Sequence, residues 1–190
     1  MTLKELVLKN RSYRRFDERV RISDQQLYDW IELARFSASG RNAQPLKYLP
    51  VTDPESCNSL FPLLAWAGYL KNWDGPAVGE HPSAYIIMVN DTSIATNYYC
   101  DDGIAAQSIL LGATEAGFGG CIVASVKKEK LAKLFRLDEQ YRVIMVIALG
   151  KPIEQVVVED MKGGDFKYWR DTDLVHHVPK RPMNELIISR

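Results

Sequence analysis

The sequence predicts a single α+β domain over residues 1–190, and three observations carry that expectation. Two capping boxes, Thr2 with Glu5 and Ser23 with Gln26, each mark a helix start, because side chain and backbone satisfy one another's free groups there. Four short apolar runs, residues 47–52, 84–90, 120–124 and 141–149, are bounded by Gly, Pro or Asp and read as buried strands. Between the second and third lies a helical stretch, residues 97–116. It carries Ile104, Ala105, Ala106, Ile109, Leu110, Leu111 and Ala113 around nearly its whole circumference, which predicts burial in the core or in a subunit interface.

In chain order, the first helix presents Leu3, Leu6 and Val7 on one face, and the second presents Leu27, Ile31, Ala34 and Ala38. Residues 10–21 between them read as a charged connector. Residues 71–83, with Gly75-Pro76 and His81-Pro82, read as one exposed loop. Gly117 is the expected C-cap of the long helix, and residues 127–135 form a short amphipathic helix on Leu131, Leu134 and Phe135. After Gly150-Lys151-Pro152 the pattern weakens and returns at residues 185–189 as a strand. A tail that long before its strand is expected to pack on something remote, such as a partner chain.

Composition narrows the function classes. Hydrophobic residues make up 46% and charged residues 25% of the 190, which excludes a disordered, collagen-like or coiled-coil chain. Lys plus Arg number 24, as do Asp plus Glu, so no global field draws the chain to nucleic acid or to an anionic membrane. The 3 cysteines form no CxxC pair, fitting neither a disulfide framework nor a four-ligand zinc site, and a reducing, cytoplasmic setting is the expectation. No segment has the apolar length of a membrane span, and the N-terminal residues lack a signal-peptide core.

Three runs are candidates for chemistry. Arg11-Ser12-Tyr13-Arg14-Arg15 sets three guanidinium groups and a hydroxyl beside a helix end, suited to a phosphate dianion, although a solvated charged connector has the same composition. Residues 37–45 run from a helix into a strand. Their small residues permit close approach of a ligand, and Asn42 and Gln44 offer donors and acceptors to a planar heterocycle, or simply make a polar loop. Gly117-Phe118-Gly119-Gly120 follows a helix and leads into a strand, which is the reverse of a dinucleotide-binding turn. His176-His177 would point to opposite faces of an extended chain and makes a poor metal pair. No hydrolytic triad or GxSxG elbow is present. Catalysis is therefore best sought in a cofactor.

Taken in order, these motifs resemble the nitroreductase family of FMN-dependent oxidoreductases. Arg11-Ser12-Tyr13-Arg14-Arg15-Phe16-Asp17 resembles its opening signature, and residues 37–45 its Pro-Ser-Ser-x-Asn-x-Gln-Pro loop. Asp102-Gly103 through Cys121 resembles the helix and Gly-rich strand start, and residues 177–182 the closing basic segment. The resemblance implies a mixed, mainly antiparallel sheet flanked by helices, with a C-terminal strand, within residues 174–190, exchanged in a homodimer. It implies that Arg11, Ser12, Arg14 and Arg15 hold the FMN phosphate with Lys180 or Arg181, and that Ser39, Asn42 and Gln44 line the flavin from the opposite subunit. Ala124 and Ser125 would stand beside the flavin ring. Ala38 and Leu46 depart from the family's usual proline and tryptophan. Trp66, Tyr69 and Trp73 are candidates to cover the flavin or to pack the core. The implied activity is transfer of a hydride from NAD(P)H through FMN to a small electron-poor acceptor. A non-catalytic flavin carrier would bear the same binding residues.

Overall fold

The computed structural model describes residues 1–188. In chain order the elements are α1 (Leu3–Lys9), β1 (Phe16–Asp17), α2 (Asp24–Arg35), β2 (Leu46–Val51), α3 (Pro54–Leu60), β3 (Ala84–Asp91) and α4 (Asp101–Glu115). There follow β4 (Gly119–Val123), α5 (Lys128–Leu134), β5 (Tyr141–Pro152), β6 (Val156–Asp160), β7 (Trp169–Arg170), β8 (His176–Lys180) and α6 (Met183–Leu186). Both capping boxes are formed as expected.

The core sheet is antiparallel throughout, in the order β2-β3-β5, with β4 along the far edge of β5 and β1 paired with the last two residues of β5, Lys151 and Pro152. Every residue of β3 is buried, so its two faces serve two helical layers. Ala84, Ile86 and Met88 pack with Leu27, Trp30 and Ile109 of α2 and α4, whereas Tyr85, Ile87 and Val89 pack with Leu60 and Leu131 of α3 and α5. Ile86, Ile87, Ile109 and Ile147 are each 0% exposed, worth about 1.5–3 kcal/mol apiece on the usual scale of apolar burial.

Several details differ from the sequence reading. The charged connector contains β1, because Phe16 is fully buried against Gly150. Helix α2 buries Trp30 with Leu27 and Ala34, leaving Ile31 half-buried, and it ends before Ala38. Helix α4 is not covered all round: Ile104 is exposed and Leu111 half-buried, so one apolar stripe lacks a cover within the chain. Helix α3, capped by Asp53 with Pro54 in its first turn, was not foreseen. The weak region after Pro152 holds a second sheet, β6-β8-β7. The expected strand at 185–189 is instead a helical turn ending at Leu186, followed by the exposed Ile187 and Ile188, while Ser189 lies outside the described residues. Among the described residues no strand pairs with that segment, and a local turn satisfies part of its backbone.

Candidate functional site

The site is assembled where the strap of residues 10–15 runs beside the outer edge of β4. Ser12 pairs in parallel with Gly120, and the Tyr13 N–H donates to the Gly120 carbonyl at 3.0 Å. In an antiparallel strand, backbone groups alternate between facing the partner and facing away. Gly120 therefore turns its backbone away from β5, and Ile122, two residues on, does the same at an exposed edge. Behind the strap, Glu154 accepts the N–H of Arg14 and, at 3.2 Å, that of Arg15.

Arg11, Ser12 and Arg14 from the chain start and Lys180 from its far end line one cavity of about 310 Å³, with His176 on its wall. His176, Val178 and Lys180 alternate along β8 and so share one face. A second cavity of about 340 Å³ is lined by Trp66, Ala124 and Ser125; Arg14, Ile122 and Tyr168 line both, so the two continue along β4. The Arg14 guanidinium lies 5.1 Å from the Tyr168 ring centre and donates across 3.4 Å to His176 Nε2. Because a guanidinium only donates, Nε2 must accept and the proton sits on Nδ1. That Nδ1 is buried without a protein partner. Burial first, then the charges of Arg14 and Arg170, push the His176 pKa down to about 4, so the imidazole is neutral at pH 7.

This donor set fits a phosphorylated flat ligand: guanidinium and ammonium groups at one end, and an open strand edge with small residues at the other. Of the predicted site residues, Arg11, Ser12, Arg14, Lys180, Ala124, Ser125 and Trp66 are brought to this groove. Arg15 is not; its guanidinium is held by Glu80 at 2.6 and 2.9 Å. Arg181 pairs with Glu185 at 2.9 Å and also stands apart. Tyr69 packs on Tyr168 with ring centres 5.0 Å apart, and Trp73 lies 4.6 Å from the Arg170 guanidinium.

Ser39 and Gln44 line a different cavity, of about 240 Å³, with Tyr48 and Asp101, while the Asn42 side chain is exposed nearby. Burial, reinforced by Asp101, pushes the Tyr48 pKa up to about 12. Within one chain this loop shares no lining residue with the Arg11 groove. Tyr168, His176 and Glu154 escaped sequence reasoning; the alternation of His176, Val178 and Lys180 was the one available signal. Among the described residues no group of three His, Cys, Asp or Glu side chains is placed to hold a metal ion, and no helix is long and apolar enough to cross a membrane.

Comparison with known proteins gives the chain its family and its fold relatives. Over 80% of its length the chain is 25% identical to a Bacillus subtilis protein provisionally named NAD(P)H nitroreductase YdgI, covering 88% of that relative. Among solved structures it is similar to the NADPH:FMN oxidoreductase of Vibrio harveyi complexed with NAD⁺, with 26% identity and a TM-score of 0.63 over 79% of this chain and 68% of that one. A nitroreductase family protein from Streptococcus pneumoniae TIGR4 shares the fold over 100% of both chains, with a TM-score of 0.70 at 16% identity. The model of the nitroreductase family matches residues 7–151, three quarters of the sequence including the strap, the polar loop and β4, and the chain belongs to that family.

Proposed function

We propose that the protein is an FMN-dependent oxidoreductase that takes a hydride from NADH or NADPH and delivers electrons to a small electron-poor acceptor, such as a nitroaromatic, a quinone or an activated alkene. The observation that carries this reading is the convergence of Arg11, Ser12, Arg14 and Lys180 on one cavity that continues along the β4 edge to Ala124 and Ser125. The four polar side chains hold the phosphate, with the guanidinium groups as directional donors and Lys180 as a point charge. The outward backbone of Ile122 and the small residues Ala124 and Ser125 meet the ring, and Trp66 walls it from water. Bound FMN supplies the hydride-accepting N5, so this chain needs only to orient it and admit a flat acceptor.

The protein acts as a homodimer, with Ser39, Asn42 and Gln44 serving the flavin of the other copy. Their separation from the groove within one chain supports this, as does the uncovered stripe on α4. Its 3 unpaired cysteines suit the cytoplasm. The test is anaerobic: the chain is loaded with FMN, NADH or NADPH is added, the yellow band is followed, and p-benzoquinone is then supplied. Bleaching and recovery are expected. A chain that binds no FMN, or whose bound FMN neither nucleotide bleaches, overturns the reading.

A further inference from the structure

The Ser39–Gln44 loop is strained, and the structure identifies what holds it. Arg41, Asn42 and Gln44 have φ of 56°, 55° and 52°, the left-handed region that residues with a Cβ disfavour. Three such residues within four positions persist only where the surroundings over-determine them. Within the loop the Asn42 N–H donates to the Ser39 carbonyl at 2.9 Å and the Ala43 N–H to the Gly40 carbonyl at 3.1 Å, but Ser39 to Gln44 bury none of their side chains in the core, so burial adds nothing to that turn.

The support comes from the first two turns of α4. Asp101, only 4% exposed, accepts the Ser39 hydroxyl at 2.6 Å through Oδ2 and the Gly40 N–H at 2.8 Å through Oδ1. Ser39 Oγ in turn accepts the Gln44 N–H at 2.9 Å. The carboxylate thus grips one end of the loop directly and the other through Ser39. Seven residues further on, on the same helix stripe, Ser108 Oγ meets Ser37 Oγ at 2.7 Å. Tyr99 closes over Gly40, where a Cβ would come within 2.7 Å of its ring. What this scaffold leaves exposed is the pair of amides, Asn42 and Gln44.

We propose that Asp101 is a positioning residue, which through Ser39 and Gly40 fixes the loop so that the Asn42 and Gln44 amides meet the flavin ring bound by a second copy. This rests on the flavin reading given above. Asp101 touches neither flavin nor acceptor in this scheme. It sets the geometry, and with it the polarity that the ring experiences at that edge.

Asp101→Asn tests the proposal, because whichever way the amide is turned, one of the two loop donors, the Ser39 hydroxyl or the Gly40 N–H, meets a donating Nδ2 in place of a carboxylate oxygen, and the charge is lost. Hydrogen exchange of the FMN-free chain should speed up at the Gly40 and Gln44 amides and stay unchanged in β3. In the loaded protein the FMN dissociation constant should rise about tenfold or more, the scale of losing a hydrogen bond to a charged group, and the flavin reduction potential should shift. Ser39→Ala, which keeps the buried acid, should loosen Gln44 and leave Gly40 protected. If Asp101→Asn does not fold, this variant with its own FMN titration decides. In the double variant, Gln44 should exchange no faster than in either single one. Unchanged exchange at both amides overturns the proposal, as does a loosened loop with wild-type FMN affinity and potential. A wild-type chain that binds no FMN sinks the functional reading and the flavin half of this proposal together. The exchange data would then decide separately whether Asp101 holds the loop.

Discussion

Glu154 and Arg170 meet at 3.0 Å with their side chains only 1% and 10% exposed, a buried ion pair behind the strap of residues 10–15. The other Glu154 oxygen accepts the backbone N–H groups of Arg14 and Arg15, so one acid both neutralises Arg170 and bends the strap toward β4. Removing one partner of such a pair strands a buried charge, which costs about 3–5 kcal/mol.

Glu154→Ala should therefore lower the thermal midpoint by roughly 6–20 °C for a chain of this size. Glu154→Gln keeps an acceptor for the strap and should fall between Ala and wild type. Calorimetry on the three proteins checks this. Equal midpoints would mean that the pair is stabilised elsewhere.

Arg11→Ala should weaken FMN by about 1.5–3 kcal/mol, through loss of charge-assisted hydrogen bonds to the phosphate. Lys180→Ala should cost less, since an ammonium offers charge without a fixed fork. Both variants should show a shallower salt dependence than wild type. Fluorescence titration at low and high salt measures these effects. Arg11→Ala with wild-type affinity in a folded chain would remove Arg11 from the site.

What was legible in the sequence follows from burial. Strands β3 and β5 are apolar on both faces, so their runs stand out, and the capping boxes name two helix starts directly. Strands β6 and β8 are only half-buried; β6 has three valines before Glu159 and Asp160, and β8 opens on two histidines and is interrupted by Pro179, so neither carries an apolar run as long as that of β3. In the strap, Arg14 and Arg15 are equivalent by composition. Their side chains nevertheless part, Arg14 to the groove and Arg15 to Glu80, which is the ordinary alternation of an extended chain. The role of Asp101 was hidden because its partners, Ser39 and Gly40, lie about sixty residues away in sequence.

The adjacent histidines should titrate in opposite senses. His177 stacks on Trp169 with ring centres 4.0 Å apart and is held by Asp171 and Glu159, which raise its pKa. Its charged form therefore stabilises the fold below pH 6.5, and that contribution is lost as pH rises through the raised folded value. His176 is depressed by burial to about 4, so its neutral form stabilises above pH 6.5, and that contribution is lost as pH falls toward 4. His176→Asn should thus flatten the loss of stability between pH 6.5 and 4 in denaturant titrations. An acid limb as steep as wild type would place the sensitivity in other groups.

The last prediction concerns the tail. Leu186, Ile187 and Ile188 are 60%, 62% and 93% exposed in the single chain, and among the described residues no strand pairs with them. Each, if covered, is worth up to about 1.5–3 kcal/mol, and in the homodimer proposed above the second copy covers them. Deleting residues 183–190 spares Lys180 and the whole of β8, so the cavity lined by Arg11, Ser12, Arg14 and Lys180 should survive in each chain. The dimer should weaken toward monomer, and with it the contribution of Ser39, Asn42 and Gln44 to the neighbouring flavin. FMN affinity should fall as protein is diluted below the dimer midpoint and recover as it is concentrated. Inorganic phosphate, which needs only Arg11, Ser12, Arg14 and Lys180, should compete equally well at all concentrations. Light scattering paired with flavin titration reads both quantities on one sample. A truncated protein that remains dimeric with undiminished FMN affinity would mean that the tail covers nothing the site depends on.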